Sequence, residues 1–309
     1  MPHDFPSTAL PAGMLVAIGG AEDKTADRHV LKAVMVCAAY PPANVEVAVI
    51  ASASRIPDQV LPGYVEAFGA LGAGAVHPLA VPDRAAANHA GVLAQVRRSD
   101  VIFLTGGDQS RLTAILAGTE LMDVLTARYT DGAVVAGTSA GAAAMSATMI
   151  AGGDAIDALA RDHLQVAGGL GLLTGAVLDT HFLERGRFTR LMAMAAINPG
   201  LLGVGLGEDA AVIVHGGRTL EAIGPGHVMI LDGRGIGHTN APDIPRGAQI
   251  ALEGVRLHAL AAGYGYDIEA RVFLTPATLD ASVQPRRRTD PTTDTARAAE
   301  PQPHSATGT

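Results

Sequence analysis

The sequence predicts an α/β fold, with a mainly parallel sheet, helices on both of its faces and a β-rich C-terminal part. Short apolar runs that end in glycine or a polar residue recur along the chain, as buried parallel strands do. Segments with helical periodicity separate the early runs, and this alternation is typical of a parallel sheet. From about Gly200, short strands follow one another with few helices.

The elements follow from these patterns in chain order. The apolar runs predict strands at 14–19, 45–52, 100–107, 132–139, 175–181, 201–209 and 210–216. Helical spacing of apolar residues predicts helices at 27–39, 62–71, 84–97, 109–117, 140–149 and 185–196. Ligands of such sheets collect at the carboxyl ends of strands, so the candidate site residues are those that follow predicted strands.

Length, composition and charge exclude several classes of protein. The chain has 309 residues, of which 48% are hydrophobic and 17% are charged, so we expect a globular protein with a sizeable core. No apolar run reaches the roughly 18 residues that a membrane-spanning helix needs. The net charge of −8 provides no basic footprint for nucleic acid. The N-terminus lacks the features of a secretory signal, so we expect a cytoplasmic protein.

We expect a single α/β domain from residue 13 to residue 276, preceded by an N-terminal extension at 1–12. Residues 277–309 are rich in Thr, Ala, Pro and Arg and have almost no large apolar side chain, which predicts a disordered tail. The single cysteine, Cys37, lies at apolar helical spacing, where we expect a buried structural thiol.

The segment around Ser139 contains G-x-S-x-G between a predicted strand and a predicted helix. Gly137, Ser139 and Gly141 occupy its fixed positions. A serine on a tight strand-to-helix turn is held exposed, and flanking glycines let neighbouring backbone come close. Free N–H groups at the start of the helix point at such a serine. We therefore interpret Ser139 as a nucleophile, with a structural turn as the alternative.

A nucleophilic serine needs a base and an acid that orients the base. Among the eleven histidines, His181 has the best context because it directly follows a predicted strand. Glu208 follows another predicted strand and is the preferred acid, while Asp209 and Asp179 stay open as alternatives. The chain order Ser, His, acid differs from that of the α/β-hydrolases, so that fold is not expected.

The segment DVIFLTGGDQSRL offers hydrogen-bond donors for an oxyanion. Gly106 and Gly107 follow a predicted strand and precede a predicted helix, where bare N–H groups converge on an anion. With the N–H of Ala140 they form a candidate oxyanion hole, and a plain turn is the alternative. The segment GGAEDK at 19–24 lacks both phosphate-loop patterns, so nucleotide binding is not expected.

Three arginines, Arg185, Arg187 and Arg190, closely follow the candidate base. Arg187 and Arg190 are three residues apart and share one face of a helix. Guanidinium groups bind carboxylates through paired hydrogen bonds, which favours a substrate that bears carboxylates. A surface salt-bridge network is the alternative.

Taken together, GGAEDK, FLTGGDQSRL, GTSAGAAAMS, DTHFLERGRFTRL and GVGLGEDAA occur in an order and at separations that resemble the cyanophycinase family. The resemblance covers roughly residues 13 to 235. It implies a scaffold similar to that of the class I glutamine amidotransferases, and serine-peptidase chemistry without metal or cofactor. Cyanophycinases hydrolyse cyanophycin, a poly-aspartate with arginine on each side-chain carboxyl, and release β-aspartyl-arginine.

Transferred residue by residue, the resemblance implies Ser139 as nucleophile, His181 as base and Glu208 as acid, in agreement with the interpretation above. The positions that surround the substrate match Gln109, Asp179, Arg185, Arg187 and Arg190, together with Thr180, where the family usually has Gln. Gly207 and Ala210 are two further departures from the family pattern near the expected cleft.

We therefore expect a serine hydrolase that cleaves cyanophycin through an acyl-enzyme, with no cofactor and no metal. Its expected partner is a peptide or polymer substrate with aspartate and arginine, and the family favours a homodimer. Two alternatives stay open: an aspartyl or isoaspartyl dipeptidase on the same scaffold, and an inactive amidotransferase-like binding protein.

Overall fold

The computed structural model describes residues 13–283. Its strands are, in chain order, β1 (Met14–Ile18), β2 (Glu46–Ile50), β3 (Ala75–Leu79), β4 (Val101–Leu104), β5 (Val134–Thr138), β6 (Thr148–Gly152), β7 (Gln165–Gly168), β8 (Ala176–Thr180), β9 (Leu202–Leu206), β10 (Ala211–His215), β11 (Thr219–Ile223), β12 (Val228–Asp232), β13 (His238–Thr239), β14 (Leu252–Glu253), β15 (Arg256–Leu260), β16 (Gly265–Asp267) and β17 (Val272–Leu274). Its helices are α1 (His29–Cys37), α2 (Pro57–Ala70), α3 (Arg84–Ala87), α4 (Ala90–Arg98), α5 (Gln109–Leu116), α6 (Glu120–Thr130), α7 (Ala140–Ala143), α8 (Phe188–Ile197) and α9 (Pro276–Ser282).

The larger sheet has the strand order β17-β16-β11-β10-β1-β5-β4-β2-β3. The strands from β1 to β3 in this order are parallel. The strands from β17 to β1 pair antiparallel. The predicted mixed α/β class with a β-rich C-terminal part is confirmed. The predicted strand at 210–216 is β10, which lies in this sheet but runs antiparallel to β1.

A second sheet carries two of the strands that the sequence places at the candidate site. Its order is β15-β12-β9-β8, and β8 and β9 are parallel to each other. Helix α8 covers its outer face, where Leu191 and Met194 pack with Val177 of β8. The sequence pattern does not assign β8 and β9 to this sheet, because an apolar run has the same composition in either sheet.

Alternate residues of β1 enter two different cores, as the period of a strand requires. Val16 and Ile18 pack with α1 and α2 on one face of the larger sheet. Leu15 and Ala17 face the opposite core, which includes α4 to α7 and the inner face of the second sheet. Helices on both faces of the parallel strands are thus confirmed, and the second sheet shares the core of the first.

Three predicted helices differ from the observed ones. The helix predicted at 62–71 is α2, which begins five residues earlier, at Pro57. The helix predicted at 84–97 is divided into α3 and α4 at Asn88, whose side chain accepts a hydrogen bond from the N–H of Glu120. The helix predicted at 140–149 ends with α7 at Ala143. There the N–H of Leu170 donates to the carbonyl of Ala144, so backbone from a distant segment takes the acceptor that the next helical turn needs.

The C-terminal boundary lies beyond the predicted one. Helix α9 occupies Pro276–Ser282, and its Leu279 is 3% exposed, so packed structure continues past Pro276. The rest of the predicted tail, 284–309, and the predicted extension at 1–12 lie outside the described residues. Cys37 is buried, as expected. Among residues 13–283, no helix combines the length and apolar character that crossing a bilayer requires.

Candidate active site

Ser139 lies on the sharp turn between β5 and α7. Its backbone has φ 52° and ψ −111°, a conformation that residues with side chains rarely adopt. Gly141 makes the turn possible, because a Cβ at that position would lie 2.3 Å from the carbonyl oxygen of Leu104. The serine is half-buried, and the sequence motif has thus folded into a strained strand-to-helix turn that leaves this residue partly accessible.

A chain of hydrogen bonds links Ser139 to His181 and then to Glu208. The hydroxyl of Ser139 lies 2.9 Å from Nε2 of His181. Nδ1 of the same ring lies 2.7 Å from Oε1 of Glu208. The imidazole is well shielded, with 12% of its side chain exposed, whereas the glutamate side chain is 39% exposed. This arrangement can pass the hydroxyl proton to the imidazole while the carboxylate stabilises the imidazolium.

Ser139, His181 and Glu208 come from different parts of the fold. One short stretch of backbone forms hydrogen bonds to the segments that contain them. Ser139 follows β5 in the larger sheet, whereas His181 follows β8 and Glu208 follows β9 in the second sheet. We call residues 18–23, which are the last residue of β1 and the five that follow it, the β1–α1 segment. Its successive carbonyls at positions 18, 19 and 20 accept hydrogen bonds from the N–H groups of Ser139, His181 and Asp209, at 3.0, 2.8 and 3.0 Å.

Gly20 is required for this close approach. Its φ is 108°, and a Cβ placed there would lie 2.4 Å from Cε1 of His181. Any side chain would therefore displace the imidazole.

The alternative acid Asp209 points elsewhere: its Oδ1 accepts a hydrogen bond from the N–H of Asp23 at 3.1 Å.

The turn that carries the predicted oxyanion donors Gly106 and Gly107 runs close to Ser139. A Cβ at Gly106 would lie 3.3 Å from Cβ of Ser139, so the turn after β4 runs past the serine. Gly107 has φ 144°, and a Cβ there would lie 2.2 Å from the carbonyl oxygen of Ala53. Within residues 13–283, the N–H groups of Gly107 and Ala140 donate no hydrogen bond, so both are available to an anion.

Three of the residues predicted to surround the substrate are engaged with one another. Asp179, 2% exposed, lies 3.2 Å from Nη1 of Arg187 and 3.0 Å from Nε of Arg190. Burial raises the pKa of Asp179, and the two guanidinium groups oppose that shift. Burial also lowers the pKa of Arg187, against the attraction of Asp179. This buried ion cluster fixes α8 to the end of β8.

Of the other three residues predicted to surround the substrate, two are engaged within the fold and one is exposed. Gln109 donates its amide to the carbonyls of Ile150 and Ala151 at 2.9 and 3.1 Å, which braces β6. Thr180 is 4% exposed, and its carbonyl accepts a hydrogen bond from Arg187. Arg185 is exposed. It is the arginine of the three whose charge is most open to a ligand.

The sequence reasoning missed the buried partners of the strand that carries Ser139. The hydroxyl of Thr138, the last residue of β5, donates to Oε2 of Glu22 at 2.5 Å. Glu22 belongs to GGAEDK, which the sequence singles out without assigning it a role in the site. An acidic residue after a glycine pair at a strand end was the available signal. In the described part of the chain, no three His, Cys, Asp or Glu side chains form a metal-binding group.

Comparison with known proteins finds a matching family model and several similar sequences. A sequence model described as peptidase family S51 matches residues 14–222. The chain is 37% identical over 257 residues to a cyanophycinase of Synechococcus elongatus, covering 83% of this chain and 79% of that protein. It is 37% identical over 254 residues to a cyanophycinase of Geminocystis herdmanii, covering 82% and 93% of the two chains. Its identity to a cyanophycinase of Trichormus variabilis is 35% over 261 residues, covering 84% and 87%.

A solved structure supports the fold. The crystal structure of a peptidase from an acI-B1 Actinobacterium superposes with a TM-score of 0.62, covering 82% of this chain and 96% of that chain. The sequence identity in that superposition is 19%, so the likeness concerns the fold alone.

Proposed function

The chain belongs to peptidase family S51 and is a serine-type peptidase, and from that premise we propose that it hydrolyses cyanophycin with Ser139, His181 and Glu208 as its catalytic triad. The observation that carries the proposal is the hydrogen-bonded chain from the Ser139 hydroxyl through the imidazole to the Glu208 carboxylate. Similarity to several cyanophycinases over most of both chains supports the choice of substrate.

In the first half of the reaction, the hydroxyl oxygen of Ser139 attacks the scissile carbonyl while Nε2 of His181 takes its proton. Glu208 holds Nδ1–H and stabilises the positive charge that forms on the ring. The negative oxygen of the tetrahedral intermediate accepts hydrogen bonds from the N–H groups of Gly107 and Ala140. Each such donor is worth about 10²–10³ in kcat in serine peptidases.

In the second half, the imidazolium returns its proton to the leaving amine, and an ester remains on Ser139. Water then attacks this ester, with His181 again as base, and frees the carboxylic acid. Proton transfer to and from one imidazole completes both halves, so this reaction needs no metal.

In the expected substrate every aspartate side chain is bonded to arginine, so the charged groups that it offers are the arginine α-carboxylates and guanidinium groups. Arg185 is the best-placed arginine for a substrate carboxylate, because Arg187 and Arg190 are engaged with Asp179. Glu208 is partly exposed, so the open side of the site carries negative charge as well.

The test is release of β-aspartyl-arginine from purified cyanophycin, followed by chromatography. We expect turnover by the wild-type protein and a loss of several orders of magnitude for Ser139→Ala and for His181→Ala, because triad members act as a unit. The exposed Ser282→Ala variant on α9 serves as the matched control and is expected to keep full activity. Full activity of Ser139→Ala would overturn the assignment of the nucleophile.

A short aspartyl or isoaspartyl peptide is the second candidate substrate. Thr180 favours it, because this position is buried and carries a shorter side chain than the glutamine usual in cyanophycinases. Brisk cleavage of small β-aspartyl or α-aspartyl peptides without release from the polymer would establish this function instead. Covalent labelling of Ser139 by a serine-directed probe distinguishes both from an inactive binding protein. The homodimer and the cytoplasmic location stay predictions.

A further inference from the structure

The carboxylate of Glu22 is buried and fully bonded next to the strand that carries the nucleophile. Its side chain is 1% exposed. It accepts hydrogen bonds from the hydroxyls of Tyr64 and Thr138, each at 2.5 Å, and lies 3.1 Å from Nζ of Lys24. A buried carboxylate is costly unless such partners compensate the lost hydration, so the fold holds this one in a single defined arrangement.

The two partners behind Glu22 fix the orientation of its carboxylate. Tyr64 lies on the buried face of α2, and burial, followed by the adjacent Glu22 charge, raises the pKa of its hydroxyl. The hydroxyl therefore stays protonated and donates to Oε1 at neutral pH. Lys24 extends over the ring of Tyr64, with Nζ 4.9 Å from its centroid. Oε2 is left for Thr138.

Thr138 immediately precedes the strained residue of the turn. Backbone in a sparsely populated region such as that of Ser139 costs about 1–3 kcal/mol and persists only where the surroundings enforce it. Two bonds enforce it here: the N–H of Ser139 to the carbonyl of Ile18, and the hydroxyl of Thr138 to Glu22. Both acceptors belong to the β1–α1 segment, which also holds the backbone at His181.

We propose that Glu22 is a positioning residue that acts through Thr138 to hold the Ser139 hydroxyl within hydrogen-bond reach of His181. The inference rests on the proposed function, in which Ser139 is the nucleophile. Without the bond to Glu22, the end of β5 relaxes and the hydroxyl leaves the position from which it attacks. A displacement of about 1 Å at a reacting atom can cost a factor of about 100 in rate.

The experiment compares Thr138→Val, which removes the hydroxyl at constant shape, with Thr138→Ser, which keeps it. We measure the rate constant for labelling of Ser139 by a fluorophosphonate probe, and kcat and KM for cyanophycin. For Thr138→Val we expect labelling and kcat to fall about tenfold to a hundredfold, with KM within about twofold of wild type. Thr138→Ser is expected to recover both rates.

Thr119→Val is the matched control, because Thr119 is also buried and its hydroxyl also donates one hydrogen bond, to the carbonyl of Leu116, away from the site. It is expected to lower the melting temperature without slowing labelling. Glu22→Gln combined with Thr138→Val gives a second readout. Since Glu22 acts through Thr138, the two losses in labelling rate should not multiply.

Wild-type labelling and kcat in Thr138→Val, losses that multiply in the double variant, or no recovery in Thr138→Ser would each overturn the inference. If Glu22→Gln does not fold, the Thr138 pair decides alone. The labelling arm does not depend on the natural substrate. A wild-type protein that is labelled but leaves cyanophycin intact therefore refutes the proposed substrate, while slow labelling of Thr138→Val still supports the positioning role.

Discussion

At the scale of single residues, the site depends on backbone conformations that its own side chains disfavour. Ser139, His181 and Asp209 have φ values of 52°, 47° and 48°. Each is held by a hydrogen bond from its N–H to one of three successive carbonyls of the β1–α1 segment. The strain is thus compensated by bonds that also set the distances between the reacting groups, so small changes in this segment should affect the rate more than the affinity for substrate.

The identity of the orienting acid is the first prediction at this scale. Glu208→Gln removes the charge that stabilises the imidazolium, and we expect kcat to fall by up to about 10⁴, as when the carboxylate of a comparable triad becomes an amide. Asp209→Asn should lose far less, because its side chain contacts the N–H of Asp23 and not the ring. Steady-state kinetics on the two variants measures this. Equal losses would contradict the assignment of Glu208.

The arginines give a second matched pair. Arg185→Met should raise KM about tenfold, the cost of one charged hydrogen bond, and leave the melting temperature unchanged because the side chain is exposed. Arg190→Met leaves Asp179 with one guanidinium partner instead of two and should lower stability by about 3 kcal/mol. Kinetics and thermal unfolding of both variants test this. A stable Arg190→Met protein with raised KM would place that arginine at the substrate.

The sequence predicted the candidate site better than the surroundings of the site. A glycine pair and strand ends sufficed to single out Ser139 and His181 and to prefer Glu208 among three acids, because parallel strands bring such ends together. Spacing alone did not distinguish Arg187 and Arg190 from Arg185. Whether a charge faces a ligand or a buried aspartate depends on the turn between β8 and α8, and local sequence does not determine that turn.

At the scale of elements, the β1–α1 segment has its own pH dependence through Asp23. Hydrogen bonds from the N–H groups of Arg28, Ala26 and Thr25 lower the pKa of this carboxyl. A carboxyl with a lowered pKa stabilises the folded state above its ordinary pKa, near 4, and loses that contribution as the pH falls toward the lowered value.

We therefore expect the melting temperature of wild type to exceed that of Asp23→Asn at pH 7, and the difference to shrink as the pH falls below about 4. Asparagine keeps an acceptor oxygen but does not titrate, which makes it the appropriate comparison. Circular dichroism melts from pH 7 to pH 3 provide the measurement. A difference that stays constant over this range would show that the Asp23 charge does not contribute.

Helix α9 provides the second prediction at this scale. A Cβ at Gly265 would lie 2.8 Å from Cδ1 of Leu279, so this leucine packs directly on β16. A disordered tail from residue 277, as the sequence predicts, would make truncation after Pro276 harmless, but the structure predicts a loss of stability. Leu279→Ala in the full chain should cost about 2–5 kcal/mol.

Truncation after Val283, which keeps α9, is the control and should melt with the full chain. Thermal unfolding of the full chain and of the two truncated proteins tests the boundary. If the protein truncated after Pro276 melts with wild type, α9 does not contribute to the core.

Strand β3 and helix α6 escaped the sequence reasoning for different reasons. Strand β3 lies at the sheet edge, where four of its five residues are partly or fully exposed and Pro78 interrupts the apolar run. No strong pattern existed to find. Helix α6 carries an apolar stripe in which Leu121, Leu125 and Tyr129 are buried at intervals of four residues. Its sequence signal was therefore present and was overlooked. Helix α7 is short despite strong local helix propensity, because tertiary contacts override it.

At the scale of the whole molecule, the proposed catalytic groups are divided between two sheets that share one core. The core between the sheets contains Leu15 of β1 and Val135 of β5 from the larger sheet. It also contains Val204 of β9 and Ile230 of β12 from the second sheet. Neither sheet can bury its inner face without the other. The geometry of the site therefore depends on the packing that holds the two sheets together.

This shared core predicts that the protein unfolds in one cooperative transition, in which activity and structure are lost together. Differential scanning calorimetry should give a ratio of calorimetric to van't Hoff enthalpy near one. Ile230→Val, in the second sheet, should lower the free energy of unfolding by about 1 kcal/mol. The thermal midpoints measured by activity and by circular dichroism should both fall by about 2–4 °C, and by the same amount. Two resolved transitions, or a variant that loses activity well before its secondary structure melts, would mean that the sheets unfold independently and that the predicted single domain is two.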